Sequence, residues 1–284
     1  MTQDEQRRWP RRGYAEGPFG QVHFQVMGSG RPLALMHQAP MTSGQFDNVY
    51  APLAQRGFMA IGIDMPGFGG SDPTPDTPTV GDYAQVVPAV LDALEIERAA
   101  LLGHHTGALA ANEAAIAFPE RIDALILNGP LLVTAEDRRK FLEGLHNWEM
   151  NFEAKPEAGH MVELFKIRDG LASGSIPPAR LSDYVVQALC GRGRFWWGHH
   201  AAYMYDQDVR LPLITQPTMI LTNSGDMITS HARRAREIRP DFAFVSLEGG
   251  GVDIVDQQPE AWADVVAGFL NTTTHEARMA AGDA

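Results

Sequence analysis

The sequence predicts an α/β fold with a mostly parallel central sheet, helices on its flanks and an inserted helical cap. Two patterns in its 284 residues indicate this fold. Short apolar runs alternate with helix-length segments in the first half and again near the end, and strands separated by such helices pair in parallel through right-handed crossovers. Between these regular stretches lies a charged, aromatic-rich segment with no clear strand pattern, which predicts the cap.

The first regular stretch contains five predicted strands and two predicted helices. In chain order, the strands are Val22–Met27, Pro32–Met36, Phe58–Asp64, Ala99–Leu102 and Ile122–Leu127. The helices are Val80–Leu94, whose apolar residues have helical spacing, and Thr106–Phe118, which is rich in alanine.

The second regular stretch begins at Pro217. It contains the predicted strands Thr218–Thr222 and Phe242–Leu247, a helix around Arg233–Ile238 and a closing helix Pro259–Leu270. We therefore assign residues 17–130 and 211–272 to the α/β core and residues 131–210 to the cap. Residues 1–16 and 273–284 are predicted to be flexible tails.

The composition narrows the class of protein. A formal net charge of −12 argues against binding to nucleic acid, and the one cysteine, Cys190, excludes an internal disulfide framework. No apolar run approaches the roughly 18 residues of a membrane helix, and the N-terminus lacks the apolar core of a secretory signal. We expect a cytoplasmic protein that binds neither membrane nor nucleic acid, with a homodimer as one option for its assembly.

The segment Gly103-His104-His105-Thr106-Gly107 joins a predicted strand to the alanine-rich helix. Its position and spacing are those of the nucleophile elbow G-x-Ser-x-G, a strained turn that exposes its middle side chain. The two glycines allow the strand and the helix to approach closely. Here the middle residue is His105 rather than serine.

Four other segments, together with this elbow, make the chain resemble the α/β-hydrolase superfamily from about Phe19 to Leu270. HQAP at 37–40 corresponds to the family's oxyanion loop, and DMPGFGGSD at 64–72 corresponds to its glycine loop. NSGD at 223–226 corresponds to its acid segment, and GGGVD at 249–253 corresponds to the segment before its last helix. Gln38 replaces the glycine of the family's oxyanion loop.

The resemblance implies a triad of which this chain retains only the acid, Asp226. His105 stands at the nucleophile position and Val252 at the position of the catalytic histidine, with no histidine between Gly249 and Leu270. A serine hydrolase needs a nucleophile and a base that takes its proton, so that mechanism cannot operate here.

We interpret His105 as a general base, with the role of nucleophile as a less favoured option. Asp226 is the first choice for the acid that orients it and Asp253 the second. The resemblance implies an oxyanion hole formed by the backbone N–H groups of Ala39 and Thr106. The expected partner is a small, mostly apolar carbonyl or ester substrate.

Other functions stay open at this point. A lyase, cyclase, decarboxylase or cofactor-free oxygenase would need the same base and oxyanion hole, and a binding protein would need only the pocket. We expect no cofactor, and no metal, although His37, His104 and His105 with Asp226 or Asp253 form a conceivable ligand set. The pocket is predicted to be lined by the following residues: His37, Leu131, Trp197, His200 and Val252.

Overall fold

A computed structural model describes the backbone of residues 9–281 and the side chains of residues 9–273. Within this range the sheet has eight strands, and the predicted α/β class is confirmed. They are β1 Arg11–Gly17, β2 Gly20–Met27, β3 Arg31–Met36, β4 Phe58–Ile63, β5 Ala99–His104, β6 Ile122–Asn128, β7 Thr218–Asn223 and β8 Ala243–Leu247.

The strands lie in the order β1-β2-β4-β3-β5-β6-β7-β8. β2 pairs antiparallel with β1 and β4, and the remaining neighbours are parallel. In a parallel sheet all carboxyl ends meet at one edge, where ligands of open α/β sheets bind. The loops after β3, β4, β5, β7 and β8 therefore converge, and these loops carry the segments that resemble the α/β-hydrolase superfamily.

Helices cover both faces of the sheet and fill the stretch between β6 and β7. Before β6 lie α1 Tyr50–Gln55, α2 Val80–Ala84, α3 Val86–Ala93 and α4 Thr106–Ala117. Between β6 and β7 lie α5 Ala135–Asn147, α6 Gly159–Ala172, α7 Pro178–Leu189, α8 Trp197–Met204 and α9 Gln207–Arg210. After β7 follow α10 Thr229–Ile238, α11 Ile254–Gln257 and α12 Pro259–Ala281.

Side chains of the central strands alternate between two hydrophobic cores. Ala34 and Met36 of β3 pack into the larger core, together with the buried face of α4. Leu33 and Leu35 point to the opposite face, where they pack with Trp262 of α12. Burial on both faces explains why the central strands are continuous apolar runs in the sequence.

Three predicted boundaries differ from the structure. Residues 11–16 of the predicted tail belong to β1, an edge strand of which only Ala15 is buried, so it carries almost no apolar signal. The closing helix runs to Ala281, through most of the predicted tail 273–284. The predicted helix Val80–Leu94 is two helices, since α3 begins at Val86 with Pro88 in its first turn.

The closest backbone approach at the elbow lies between β5 and α4. A methyl group at position 103 would lie 1.9 Å from the carbonyl oxygen of Gly107, and one at position 107 would lie 2.1 Å from that of Met36. Both contacts involve main-chain atoms, which cannot rotate away. Glycine is therefore required at both positions for space.

We predict that Gly103→Ala lowers the free energy of unfolding by about 3 kcal/mol, because overpacking against the backbone forces α4 and β5 apart. Gly268→Ala is the matched control, because Gly268 lies inside α12 with no atom near its added methyl group. It should be neutral or stabilising by up to about 1 kcal/mol. Urea unfolding measures both, and equal effects would contradict the role of the elbow.

Candidate active site

His105 occupies a strained turn between β5 and α4. Its backbone has φ 50° and ψ −112°, a conformation that costs a residue other than glycine roughly 1–3 kcal/mol. Two hydrogen bonds hold it there: the His105 N–H donates to the Asn128 carbonyl at 2.9 Å, and the Ala108 N–H donates to the His105 carbonyl at 2.8 Å. The turn thus presents the imidazole at the carboxyl edge of the sheet.

The imidazole of His105 is paired with Asp226, which lies in the loop after β7. Nε2 of His105 is 2.8 Å from Oδ2 of Asp226, and Oδ1 of Asp226 accepts a hydrogen bond from the Ile228 N–H at 3.1 Å. The Asp226 side chain is fully buried, whereas that of His105 is 14% exposed. The structure thus pairs His105 with the first of the two predicted acids.

Burial acts to raise the pKa of Asp226, but the charge and hydrogen bond of His105 and the Ile228 N–H outweigh it and lower this pKa to about 2. Asp226 is therefore a carboxylate at neutral pH and accepts the Nε2 proton. Neutral imidazole then carries its lone pair on Nδ1. Nδ1 makes no hydrogen bond within the described part of the chain.

Gly129 leaves room for this pair, a role that the sequence analysis missed. It follows β6 with φ +62°, and a methyl group there would lie 2.5 Å from Cδ2 and 2.8 Å from Nε2 of His105. The sequence contains no signal for this contact, because residues 105 and 129 meet only once β5 and β6 are paired.

A cavity of about 300 Å³ lies between the elbow and the cap and is lined by His105 and Val252. Most of its wall is apolar or aromatic, from side chains such as Leu164, Phe195 and Tyr203. This volume is at the small end of the range of ligand sites. Val252 is thus part of an apolar wall.

Four other predicted pocket residues lie elsewhere. His37 is fully buried, with Nδ1 2.9 Å from the Gln38 carbonyl and Nε2 accepting from the Met65 N–H at 3.0 Å, so it orders two loops. Leu131 packs in the hydrophobic core, and Trp197 packs against the Gly67 and Gly193 backbone. His200 lines a separate surface groove beside Tyr205.

His199, the neighbour of His200, faces the cavity instead. Consecutive helical residues point about 100° apart, so only one of the two can face a given wall. The sequence identifies the His-His pair but not the direction in which α8 lies on the core. Glu149 and Arg168 also line the cavity and were not predicted, because they come from separate cap segments without a motif.

Asp253, the second predicted acid, does not hydrogen-bond to His105. Its Oδ1 accepts a short hydrogen bond from the Arg168 guanidinium of α6, and both side chains are largely buried. Burial raises the pKa of Asp253 more than the Arg168 charge lowers it. Asp253 therefore pairs with Arg168 rather than with His105, and this ion pair connects the loop after β8 to the cap.

The backbone N–H groups of Ala39 and Thr106 donate to no acceptor among residues 9–281. The non-family residue Gln38 is accommodated, since its N–H donates to Oε1 of Gln45 at 2.9 Å. Two unpaired N–H groups on the oxyanion loop and at the start of α4 are free to bind a substrate oxygen.

His104 is buried below the elbow. Its Nδ1 lies 2.5 Å from Nε2 of Gln45, and burial, together with the His105 charge, holds its pKa well below the ordinary histidine value. Among residues with described side chains, no cluster of three histidine, cysteine or acidic side chains has a metal-binding arrangement. Within the same residues, no helix combines the length and apolar character needed to cross a membrane.

The comparisons with known proteins agree with this fold. A family model described as the alpha/beta hydrolase fold matches residues 31–251. The chain belongs to the α/β-hydrolase fold family. It is 38% identical over 271 residues to an uncharacterized protein of Mycobacterium tuberculosis H37Rv, covering 88% of this chain and 78% of the relative.

Two further proteins that are similar to this chain have names that state an activity. A 2-hydroxy-6-oxononadienedioate/2-hydroxy-6-oxononatrienedioate hydrolase of a Pseudomonas species is 27% identical over 229 residues, which cover 73% of this chain and 76% of that protein. The crystal structure of a hydrolase from Pseudomonas aeruginosa PA01 superposes with a TM-score of 0.77 at 22% identity, covering 92% of this chain and 98% of that one. The second likeness supports the fold alone.

We predict that Asp226→Asn destabilises the protein in a pH-dependent way. The pKa of Asp226 is about 2 in the folded state against 3.8 ordinarily. Its ionisation therefore contributes about 2 kcal/mol above pH 4 to 5, and this contribution is lost as pH falls towards 2. The difference in free energy of unfolding between wild type and variant should shrink accordingly between pH 6 and pH 3.

Urea unfolding at a series of pH values measures this difference. Asp208→Asn is the control, because Asp208 is exposed and makes no ion pair in the described part of the chain, so its replacement should have little effect at any of these pH values. A difference for Asp226→Asn that does not change with pH would contradict an ionised, paired Asp226.

Proposed function

We propose that this protein is a hydrolase in which His105, acting as a general base, activates water for attack on a small, mostly apolar carbonyl or ester compound. The observation that carries the proposal is the hydrogen bond between Nε2 of His105 and Asp226 at the elbow. It leaves Nδ1 as the basic nitrogen at the position where the fold presents a reactive side chain.

In the proposed reaction, Nδ1 of His105 takes a proton from water while the water oxygen bonds to the carbonyl carbon. The carbonyl electron pair moves to its oxygen, and the N–H groups of Ala39 and Thr106 stabilise the resulting oxyanion. When the intermediate collapses, the bond to the leaving group breaks, and the leaving group takes a proton. General base catalysis contributes about 10²- to 10⁴-fold, and one oxyanion-hole donor about 10²- to 10³-fold.

The carboxylate of Asp226 supports this reaction in two ways. It holds the imidazole in the tautomer whose Nδ1 lone pair is free, and it stabilises the imidazolium after proton transfer. The size of the cavity, about 300 Å³, favours a small substrate, and its wall favours an apolar one. The names of the relatives, which include hydrolases of oxo-dienoate compounds, support attack at a carbonyl.

A non-hydrolytic reaction on the same scaffold is the second candidate. The observation that favours it is the presence of a base at the elbow with no hydroxyl or thiol nucleophile there. A lyase, cyclase, decarboxylase or cofactor-free oxygenase would use Nδ1 of His105 to remove a substrate proton and the same N–H groups to stabilise the anion. The source of the oxygen in the product distinguishes the two candidates.

We predict that His105→Ala lowers kcat/KM for p-nitrophenyl butyrate at least about 100-fold, because the base is lost. His105→Ser should be equally inactive, since Val252 leaves a serine at the elbow without a base. His146→Ala is the control, because His146 is an exposed histidine at the end of α5. Unchanged activity of His105→Ala, with normal folding by circular dichroism, would refute the proposed role.

A second experiment separates a base from a nucleophile. In water labelled with ¹⁸O, a base-catalysed hydrolysis should place one labelled oxygen in the acid product, and quenched-reaction mass spectrometry should find no acyl group on the peptide that contains His105. An acylated peptide would show that His105 is a nucleophile. A product without labelled oxygen would favour the non-hydrolytic candidate.

A further inference from the structure

The cavity contains a second histidine–carboxylate pair, made entirely by the cap. Nδ1 of His199 in α8 lies 2.9 and 2.8 Å from Oε1 and Oε2 of Glu149, which begins a 3-10 turn after α5. The two side chains are 27% and 11% exposed. Both residues line the cavity that His105 lines, so a substrate there would meet two imidazoles.

Packing fixes the ring of His199 relative to the oxyanion loop. The ring stacks on Tyr203 with 5.8 Å between centroids and 7° between planes, and Tyr203 stacks on Phe141 at 4.9 Å. At the start of the same helix, a methyl group on Gly198 would lie 2.4 Å from Cβ of Ala39. The helix therefore lies directly on the residue whose N–H the proposed function uses for the oxyanion.

The surroundings of His199 favour its protonated form. Burial lowers the pKa of His199. The charge and hydrogen bond of Glu149 and the carbonyl of Ala39 raise it by more, so that this pKa lies above the ordinary value of 6.5. Burial and the Glu149 charge raise the pKa of the Tyr203 phenol, which is therefore neutral. At pH 6.5 and below, the pair is therefore mostly an imidazolium held by a carboxylate.

The other charged groups that line the cavity are compensated. The Arg168 guanidinium is paired with Asp253, and the ring of His105 is paired with the ionised Asp226. Both imidazoles therefore face one cavity, and each is held by a carboxylate. With His105 as the base of the proposed function, the ring of His199 is placed to serve as the acid of an acid–base pair.

We propose that His199 is the general acid of this site and donates its proton to the oxygen of the leaving group. The inference rests on the proposed function. When the tetrahedral intermediate collapses, the bond from carbonyl carbon to leaving oxygen breaks, its electron pair moves to that oxygen, and the proton moves there from the ring of His199. His105, which holds the proton from water, then returns one proton to His199 through solvent, and both residues are reset.

The dependence on the leaving group tests this proposal. The p-nitrophenolate of p-nitrophenyl butyrate leaves without a proton, whereas the ethoxide of ethyl butyrate needs one. His199→Gln should therefore lower kcat about 100-fold for ethyl butyrate and by less than about 3-fold for p-nitrophenyl butyrate. His200→Gln is the matched control, because this neighbour lines a different groove, and it should change neither rate substantially.

Glu149→Gln gives a second, graded test. Removal of the carboxylate should lower the pKa of His199, so the alkaline limb of the pH–rate profile for ethyl butyrate should move to lower pH, while the profile for p-nitrophenyl butyrate keeps its shape. Equal losses for both esters in His199→Gln, or no loss for either, would overturn the proposal. If His105→Ala nevertheless loses the hydrolysis of both esters, the proposed function stands without the proposed role of His199.

The protonation state can also be measured without a substrate. In ¹⁵N-histidine NMR at pH 6.5, both ring nitrogens of His199 should be predominantly protonated in the wild type, and the imidazolium fraction should fall in Glu149→Gln. A neutral His199 at this pH would overturn the proposal, whichever substrate the protein uses.

Discussion

The contact between β5 and α4 is the constraint on which the site depends. With hydrogen in place of a side chain at positions 103 and 107, the backbone of α4 can start directly against the strand edge. The chain can make this reversal only if residue 105 adopts a positive φ, and this conformation points its side chain away from the core. The same geometry leaves the N–H of Thr106 free at the start of the helix.

The histidine at position 105 determines how its neighbours are arranged. An imidazole is long enough to reach Asp226 directly from the strained turn. Gly129 leaves the space that this larger side chain needs. Val252, which requires no polar partner, joins the apolar wall of the cavity, and the adjacent Asp253 binds Arg168 of the cap.

The cap supplies most of the titratable and charged side chains that line this cavity. It closes an apolar space above the elbow and brings Glu149, Arg168 and His199 into it. Each charge has a partner, because an unpaired charge in such a space would carry a large desolvation cost. The low local dielectric that imposes this cost also strengthens the interactions that the pairs can make with a polar group of a substrate.

The sequence by itself determined the central strands, the elbow and the acidic residue that pairs with His105. These features depend on local rules: apolar runs of strand length, glycines on both sides of an exposed residue, and an acidic residue directly after a buried strand. His105 and Asp226 were thus predicted together, although they lie 121 positions apart along the chain.

Only the tertiary structure decided which residues surround this pair. His37 was expected in the pocket but orders two loops, and the choice between His199 and His200 depended on the rotation of α8 about its axis. β1 became visible only through its pairing with β2. Each of these outcomes arises from contacts between segments distant in sequence, and no local pattern of residues specifies how two such segments are oriented when they pack.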